Sequence, residues 1–229
     1  MTESRRRGPR RAEAERNDRA LLRAARHVLA ADGEHASVAA IAAAAGVGIG
    51  SLYRRYRTKE ELFQRLAELS LDSWNQAAER GLADDDPWEG LASFIVTCAE
   101  FGQGSLGPIA GTIEVTKEMQ AKYDRSDELL AALVARAHRA GVLRPDVTAV
   151  DISLLIEQFG RSPALDQLCK QRREDLLEAA AGAHKRVLAI AVDGLRACHP
   201  RPLPGDPPTD RLFTERWAHE AGRARRTSP

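Results

Sequence analysis

The chain has 229 residues, 43% of them hydrophobic and 29% charged, so it can bury a core and is not a disordered polymer. A formal net charge of +1 argues for no partner by itself, but its distribution does: residues 1–60 hold 13 Lys/Arg against 7 Asp/Glu, and residues 61–229 hold 21 against 26. A basic head on an acidic body implies an anionic partner for the head alone.

Residues 1–16 place Arg5, Arg6, Arg7, Arg10 and Arg11 around Gly8-Pro9 and read as a flexible basic arm. Residues 18–32 read as a helix, because Leu21, Leu22, Ala25, Val28 and Leu29 recur at helical spacing before Gly33. Ser37 is a good N-cap for a short second helix with Val38, Ile41, Ala42 and Ala45 inward, and Gly46 ends it. A third short helix spans Ile49 to Tyr56. Thr58 opens a fourth, with Glu61 three residues on to complete a capping box, and Leu62, Leu66, Leu69 and Trp74 carry it to Arg80.

Asp86-Pro87 marks the next helix start, and Trp88, Leu91, Phe94, Ile95, Cys98 and Phe101 form its apolar stripe. Residues 109–120 and 124–140 read as two further helices, the second closed by Gly141. Thr148 caps an apolar helix to Phe159, and another runs over 175–197. No strand or hairpin pattern occurs, so the expected fold is all-α. From residue 199 the chain is proline-rich; Leu212, Phe213 and Trp217 suit one face of a short helix, and a mobile tail fits equally.

Residues 37–56 have helix–turn–helix spacing: a short helix, a glycine turn and a second short helix. Such a second helix fits a DNA major groove. Gly48 and Gly50 bare the backbone at its leading edge, while Ser51, Tyr53 and Tyr56 offer hydroxyls to phosphate oxygens. Arg54 and Arg55 supply charge, and Lys59 stands at the start of the next helix, whose free N–H groups also attract phosphate. Packing of two helices through glycine and alanine, with an exposed arginine pair, explains the same spacing without DNA.

The stretch SVAAIAAAAGVGIGSLYRRYRTKEEL resembles the DNA-binding segment of TetR-type repressors in Ser37, Ala45-Gly46-Val47, Gly50-Ser51-Leu52-Tyr53, Tyr56 and Thr58-Lys59-Glu60 with Leu62. The resemblance implies an all-α homodimer that binds a palindromic double-stranded DNA operator and releases it when a small-molecule effector enters the C-terminal body. It implies backbone contacts from Ser37, Ser51, Tyr53 and Lys59, and a place near the bases for residues 48–50 and 54–55. Where the family carries polar base-reading residues this chain has Ala39 and Ile49, so Ile49 is expected to touch a thymine methyl instead, and Arg54 or Arg55 to address guanine. The basic arm either enters the minor groove or only neutralises phosphates.

The expected organisation is an arm (1–16), a helix–turn–helix domain (17–62), a ligand-binding and dimerisation domain (63–198) and a tail (199–229). Helices 149–159 and 175–197 resemble the four-helix dimer interface of one subgroup of the family; internal core is the other reading of their apolar faces. The expected ligand-binding residues are Phe94, Cys98, Phe101, Ile113, Met119, Tyr123, Leu130 and Phe159, a lining suited to an amphipathic ligand, although ordinary packing explains each as well.

Other chemistries find no support. GQGSLG at 102–107 matches a nucleotide-binding pattern but lacks a preceding strand. The six histidines form no ligand pattern, with His138 reading as a helix-end cation and His184 as a packed side chain, and the odd set Cys98, Cys169 and Cys198 has no CxxC spacing. GIGSL lacks the context of a nucleophile elbow, so neither enzyme nor cofactor is expected. Without an 18-residue apolar run or an apolar leader, the sequence predicts a cytoplasmic protein with no membrane contact.

Overall fold

The computed structural model describes residues 17–18, 20–29, 32, 35–102, 109, 112–198 and 201–211. The arm 1–16, Gly33, residues 103–107 of the glycine-rich stretch and the tail segment with Leu212, Phe213 and Trp217 lie outside the described residues. Within them the chain is all-α: α1 (20–29), α2 (Val38–Ala45), α3 (Ile49–Arg55), α4 (Lys59–Ala83), α5 (Pro87–Glu100), α6 (Lys117–Arg139), α7 (Ala149–Phe159), α8 (Pro163–Lys170) and α9 (Glu174–Asp193). The described residues contain no strand; Leu143 and Arg196 pair in an isolated antiparallel bridge.

Side-chain caps start most of these helices. Ser37, Thr58, Asp86, Thr116, Thr148 and Ser162 each accept a bond from a first-turn N–H, about 1 kcal/mol apiece. At Thr58 only half the expected capping box forms, because the Glu61 carboxylate accepts from the Arg57 N–H at 2.7 Å instead. Both halves form at Thr148, with Asp151.

Three sequence expectations about the body need correction. Residues 112–116 are not helical, since Thr116 caps a helix that begins at Lys117. No break follows near residue 123: Lys117–Arg139 is one helix, for nothing in QAKYDR interrupts it. The stretch before the last helix holds a further one, α8, with Ser162 as cap and Pro163 in its first turn, and α9 stops at Asp193 against Gly194 rather than running to 197.

Two apolar cores result. The first joins α1, α2 and α3 to the start of α4 through Leu21, Leu29, Ile41, Leu52, Leu62 and Leu66, and also takes in Ile109, Ile113 and Met119. The second joins the end of α4 to α5, α6, α7 and α9 around Phe94, Leu91, Leu133, Ile152 and Ile156. Helix α4 is the only helix contributing several buried residues to each: Leu62, Phe63, Leu66 and Ala67 to one, Ala77 and Ala78 to the other.

The far end of α4 is fixed in two ways. Gly81 and Gly90 bring α4 and α5 into backbone contact, close enough that a Cβ on either would strike the carbonyl oxygen of the other. Arg136 of α6 then donates to the carbonyls of Gly81 (3.3 Å), Leu82 (3.1 Å), Asp85 (3.0 Å) and Asp84, satisfying acceptors that a helix end leaves unpaired.

Candidate nucleic-acid interface

The turn between α2 and α3 is built on Gly46, whose φ of 68° is the left-handed conformation glycine adopts without strain. Its N–H reaches Ala43 O (3.1 Å) and that of Val47 reaches Ala42 O (3.0 Å), a closed helix end that aims the chain into α3. Helical spacing then divides α3. Leu52, with Tyr56 just past the end, is buried in the first core; Ile49 and Tyr53, four residues apart, are 44% and 49% exposed on the other side.

Gly48 and Gly50 flank this outer face, and a Cβ built on either meets nothing within 4 Å. The protomer's packing therefore does not require glycine at these two places. Their bareness leaves backbone accessible to something outside the protomer.

Most of the expected DNA-binding residues are exposed: Ser37, Ala39, Gly48, Ile49, Gly50, Ser51, Tyr53, Arg54, Arg55 and Lys59. Ser37 Oγ already accepts from Ala40 N at 3.0 Å, so only its proton remains for a phosphate. Lys59 Nζ stands 5.1 Å from the centre of the Phe63 ring at the exposed start of α4. Tyr56 departs from expectation. It is 8% exposed and its hydroxyl is buried, so it is core rather than a phosphate ligand, and its place four residues after Leu52 is the signal for that. Burial raises its phenol pKa.

Arg55 departs too. Instead of extending freely it places Nη2 2.7 Å from Asp18 Oδ1, while Arg65 of α4 holds Asp18 Oδ2 at 3.0 Å. Asp18 was not singled out in the sequence, where an acid at a helix start reads only as dipole complement. No sequence signal joins it to residues 37 and 47 positions away.

Between the two cores lies a polar waist. Arg26 of α1 is 6% exposed and donates to Ser70 Oγ (3.2 Å) and to the carbonyl of Phe101 at the end of α5; burial brings its pKa down to about 10. Asn75 accepts from Ser126 (2.8 Å) and donates to Lys122 O (3.2 Å), and Lys122 pairs with Asp72 at 2.8 Å.

The eight expected ligand-binding residues do not surround one space. Ile113 and Met119 belong to the first core, and Phe94, Cys98 and Leu130 to the second, where Phe159 packs at its edge. Phe101 is 50% exposed and Tyr123 is half-buried beside Asp127, its phenol raised to about 12 chiefly by burial. Aromatic and aliphatic side chains suit a core and a pocket alike, and here tertiary packing divides them. A half-open cleft of about 170 Å³ lies elsewhere, lined by His27 of α1 and Asp166, Cys169 and Lys170 of α8.

His138 and His184 are structural, meeting Arg144 O (3.0 Å) and Phe159 O (2.9 Å). Among the described residues no three His, Cys, Asp or Glu side chains are placed to hold a metal ion, and no helix is long and apolar enough to cross a membrane.

Comparison with known proteins bears on this geometry. Residues 21–66 match the family model described as bacterial regulatory proteins, tetR family, and residues 86–197 match that of the SbtR-like transcriptional regulator C-terminal domain. The HTH-type transcriptional repressor LfrR of Mycolicibacterium smegmatis is 36% identical over 138 residues, which are 58% of this chain and 69% of that protein. A TetR transcription regulatory protein from Mycobacterium vanbaalenii superposes with a TM-score of 0.52 at 28% identity, covering 81% of this chain and 98% of its own. The regulator SCO0520 of Streptomyces coelicolor has the same fold, with a TM-score of 0.52 at 22% identity and coverage of 80% and 99%.

Proposed function

Because the chain belongs to the tetR family of bacterial regulatory proteins, and is thus a DNA-binding transcriptional regulator of repressor type and not an enzyme, we propose that it grips a palindromic operator as a homodimer and lets go when a small amphipathic molecule enters its body. The observation that carries the operator reading is the outer face of α3: exposed Ile49 and Tyr53 beside Gly48 and Gly50, two glycines that the protomer's packing does not need. Backbone there can come close to a groove wall, and Ser51, Tyr53 and Lys59 are exposed around it as donors to phosphate.

Two such helices reach successive major grooves only if the protomers hold them about 34 Å apart. Helices α7 and α9 supply the surface for that pairing. Each buries only two residues in the protomer, while Val187 and Ile190 of α9 are 52% and 62% exposed. The effector reading rests on Trp74, whose indole N–H is buried without an acceptor and whose ring meets Phe94 edge-on at 5.0 Å. A ligand with an acceptor atom and an apolar body would complete that arrangement. The division of the eight expected pocket residues between two cores favours a second reading, in which the body takes a protein partner and no small molecule.

The test uses a DNA duplex selected from a random pool by the wild-type protein, followed by fluorescence anisotropy. The reading requires a two-fold symmetric site and two protomers per duplex. Gly50→Ala, Tyr53→Phe and Lys59→Ala should each weaken binding, and Lys59→Ala should flatten the salt dependence by about one ion. Unchanged affinity in all three refutes the interface. A panel of amphipathic compounds is then titrated onto the complex; release that Trp74→Phe weakens supports the effector, and no release supports the second reading.

A further inference from the structure

Asp18 is 7% exposed, and a buried carboxylate is retained only where cations compensate it. Its two oxygens are divided between two helices: Oδ2 accepts from Arg65 Nη2 of α4 at 3.0 Å, and the buried Oδ1, which accepts no hydrogen bond, lies 2.7 Å from Arg55 Nη2 of α3 as an ion pair. Arg65 also reaches Glu68 Oε2 at 3.1 Å, so the group contains two cations and two anions and is neutral. The Arg55 guanidinium is occupied on a second side by the Tyr56 ring, 5.3 Å from its centre.

Helix α3 needs such a fastening. It has seven residues, its N-cap is a glycine without a side-chain bond, and within its own length only Leu52 is buried. Leu52 and, just past the end, Tyr56 anchor only the inner side through non-directional apolar contact, which leaves the helix able to roll about its axis, and that roll decides where Ile49 and Tyr53 point. We infer that Arg55 is a positioning residue: with Asp18 it forms a strut that locks the C-terminal end of α3 to α1 and α4 and sets the angle at which the outer face meets DNA.

Two consequences distinguish a strut from a phosphate ligand. Arg55's charge is compensated before DNA arrives, so it displaces little counterion on binding. Arg54, its neighbour, is exposed and forms no ion pair among the described residues, so the phosphate contact of this segment belongs to it. Turning Arg55 toward DNA would also strip Asp18 Oδ1 of its cation inside the head.

The inference rests on α3 being the DNA-facing helix, and the experiment separates the two. Full-length wild type, Arg54→Met and Arg55→Met are titrated with the duplex selected by the wild type and with an unrelated duplex of equal length, across a range of salt. Methionine keeps the aliphatic stem, and Arg55's side chain is 45% exposed, so the variant is expected to fold; circular dichroism checks this. Arg54→Met should flatten the salt slope by about one ion. Arg55→Met should leave the slope unchanged yet lower affinity for the selected duplex about tenfold, with the unrelated duplex affected less than about twofold. Asp18→Asn, which also weakens the Arg65 contact, is titrated beside them, and Asp18→Asn/Arg55→Met should be no worse than Asp18→Asn alone, because Arg55 then has no anion left to lose.

A slope flattened by Arg55→Met as much as by Arg54→Met makes Arg55 a phosphate ligand and overturns the strut. Unaltered affinity for the selected duplex, or additive losses in the double variant, also overturns it. If neither arginine variant changes binding at all, the interface itself is wrong.

Discussion

Replacing Gly81 by alanine puts a methyl group where α4 and α5 have no room for one. The new Cβ would stand 2.5 Å from the carbonyl oxygen of Gly90 and 3.2 Å from Leu133 Cδ2. Carbon–oxygen contacts between packed backbones are about 3.3 Å or longer, so the helices must part by about 0.8 Å. Leucine can turn away; the Gly90 carbonyl belongs to a helix and cannot. A gap of that size forfeits a quarter to a half of the dispersion well of each atom pair facing it. The affected pairs include Ala77 and Ala78 against α5, in the second core. Overpacking of this kind costs about 3 kcal/mol at its upper end, and the helical preference of alanine over glycine returns about 1.

The expected net loss is thus about 2 kcal/mol, or roughly 4–8 °C in the melting temperature of a chain of this size. The assay is thermal unfolding by circular dichroism at one fixed protomer concentration, since the proposed dimerisation would make the midpoint concentration-dependent. Gly50→Ala in α3, measured without DNA, is the control: its Cβ meets nothing within 4 Å and it lies off the α7–α9 surface, so only the propensity gain of about 0.5–1 kcal/mol should remain. If Gly81→Ala melts with the wild type or above it, the crossing is not a rigid contact and the reasoning fails.

Two further perturbations have clear readouts. Ile190→Glu places a charge on the exposed apolar side of α9 and should give monomers in sedimentation at micromolar concentration without loss of helix; an unchanged dimer moves the interface elsewhere. Asp146→Asn should loosen the segment after α9, because the Asp146 carboxylate accepts from Leu203 N (2.9 Å) and from Arg144, which itself donates to Arg201 O. Faster amide hydrogen exchange at Leu203, whose N–H donates to Asp146, would show it. The Arg144 bond holds the Asp146 carboxyl far below the ordinary Asp range. Its contribution is therefore complete above the ordinary value and lost only as pH falls toward the lower folded one, so the wild-type protection factor at Leu203, corrected for intrinsic exchange, should not fall between pH 7 and 5.

The head was legible in sequence because each of its features is a local necessity. A cap before α2, a left-handed glycine after it and an inward Leu52 on α3 are all fixed by residues close in the chain. What escaped was long-range. Tyr56 carries a hydroxyl and reads as polar until its place in the first core is known, and Arg55 reads as free charge until Asp18, 37 residues earlier, stands beside it. In the body, helix existence was legible but not its joints: Thr116 looked like helix interior until its side chain was seen to cap Met119 N. The Ser162-Pro163 start of α8 was a local signal that went unread. The pocket residues were beyond reach, for an apolar side chain does not reveal whether its neighbour is a ligand or another side chain.

The relation between the two cores bears on how a regulator of this shape can have two states. Helix α4, 25 residues long, is a stiff rod about 37 Å in length, buried in apolar packing near both ends. Its middle is different: Ser70, Asp72 and Asn75 meet Arg26, Lys122 and Ser126 through polar contacts. A shift of α4 that opened either core would expose apolar surface at about 25 cal/mol per Å². A shift that slides the waist exchanges hydrogen bonds worth about 1 kcal/mol each for bonds to water or to a neighbouring polar group. A movement of the head on the body would therefore cost least if Ile113 and Met119 travelled with the head and only the polar waist rearranged. The backbone contact at Gly81 and Gly90 leaves the far end of the rod no freedom to move independently. A change that repacked the body beside Trp74 would then have two ways to the head, along α4 with Arg26 and through Met119 of α6 in the first core.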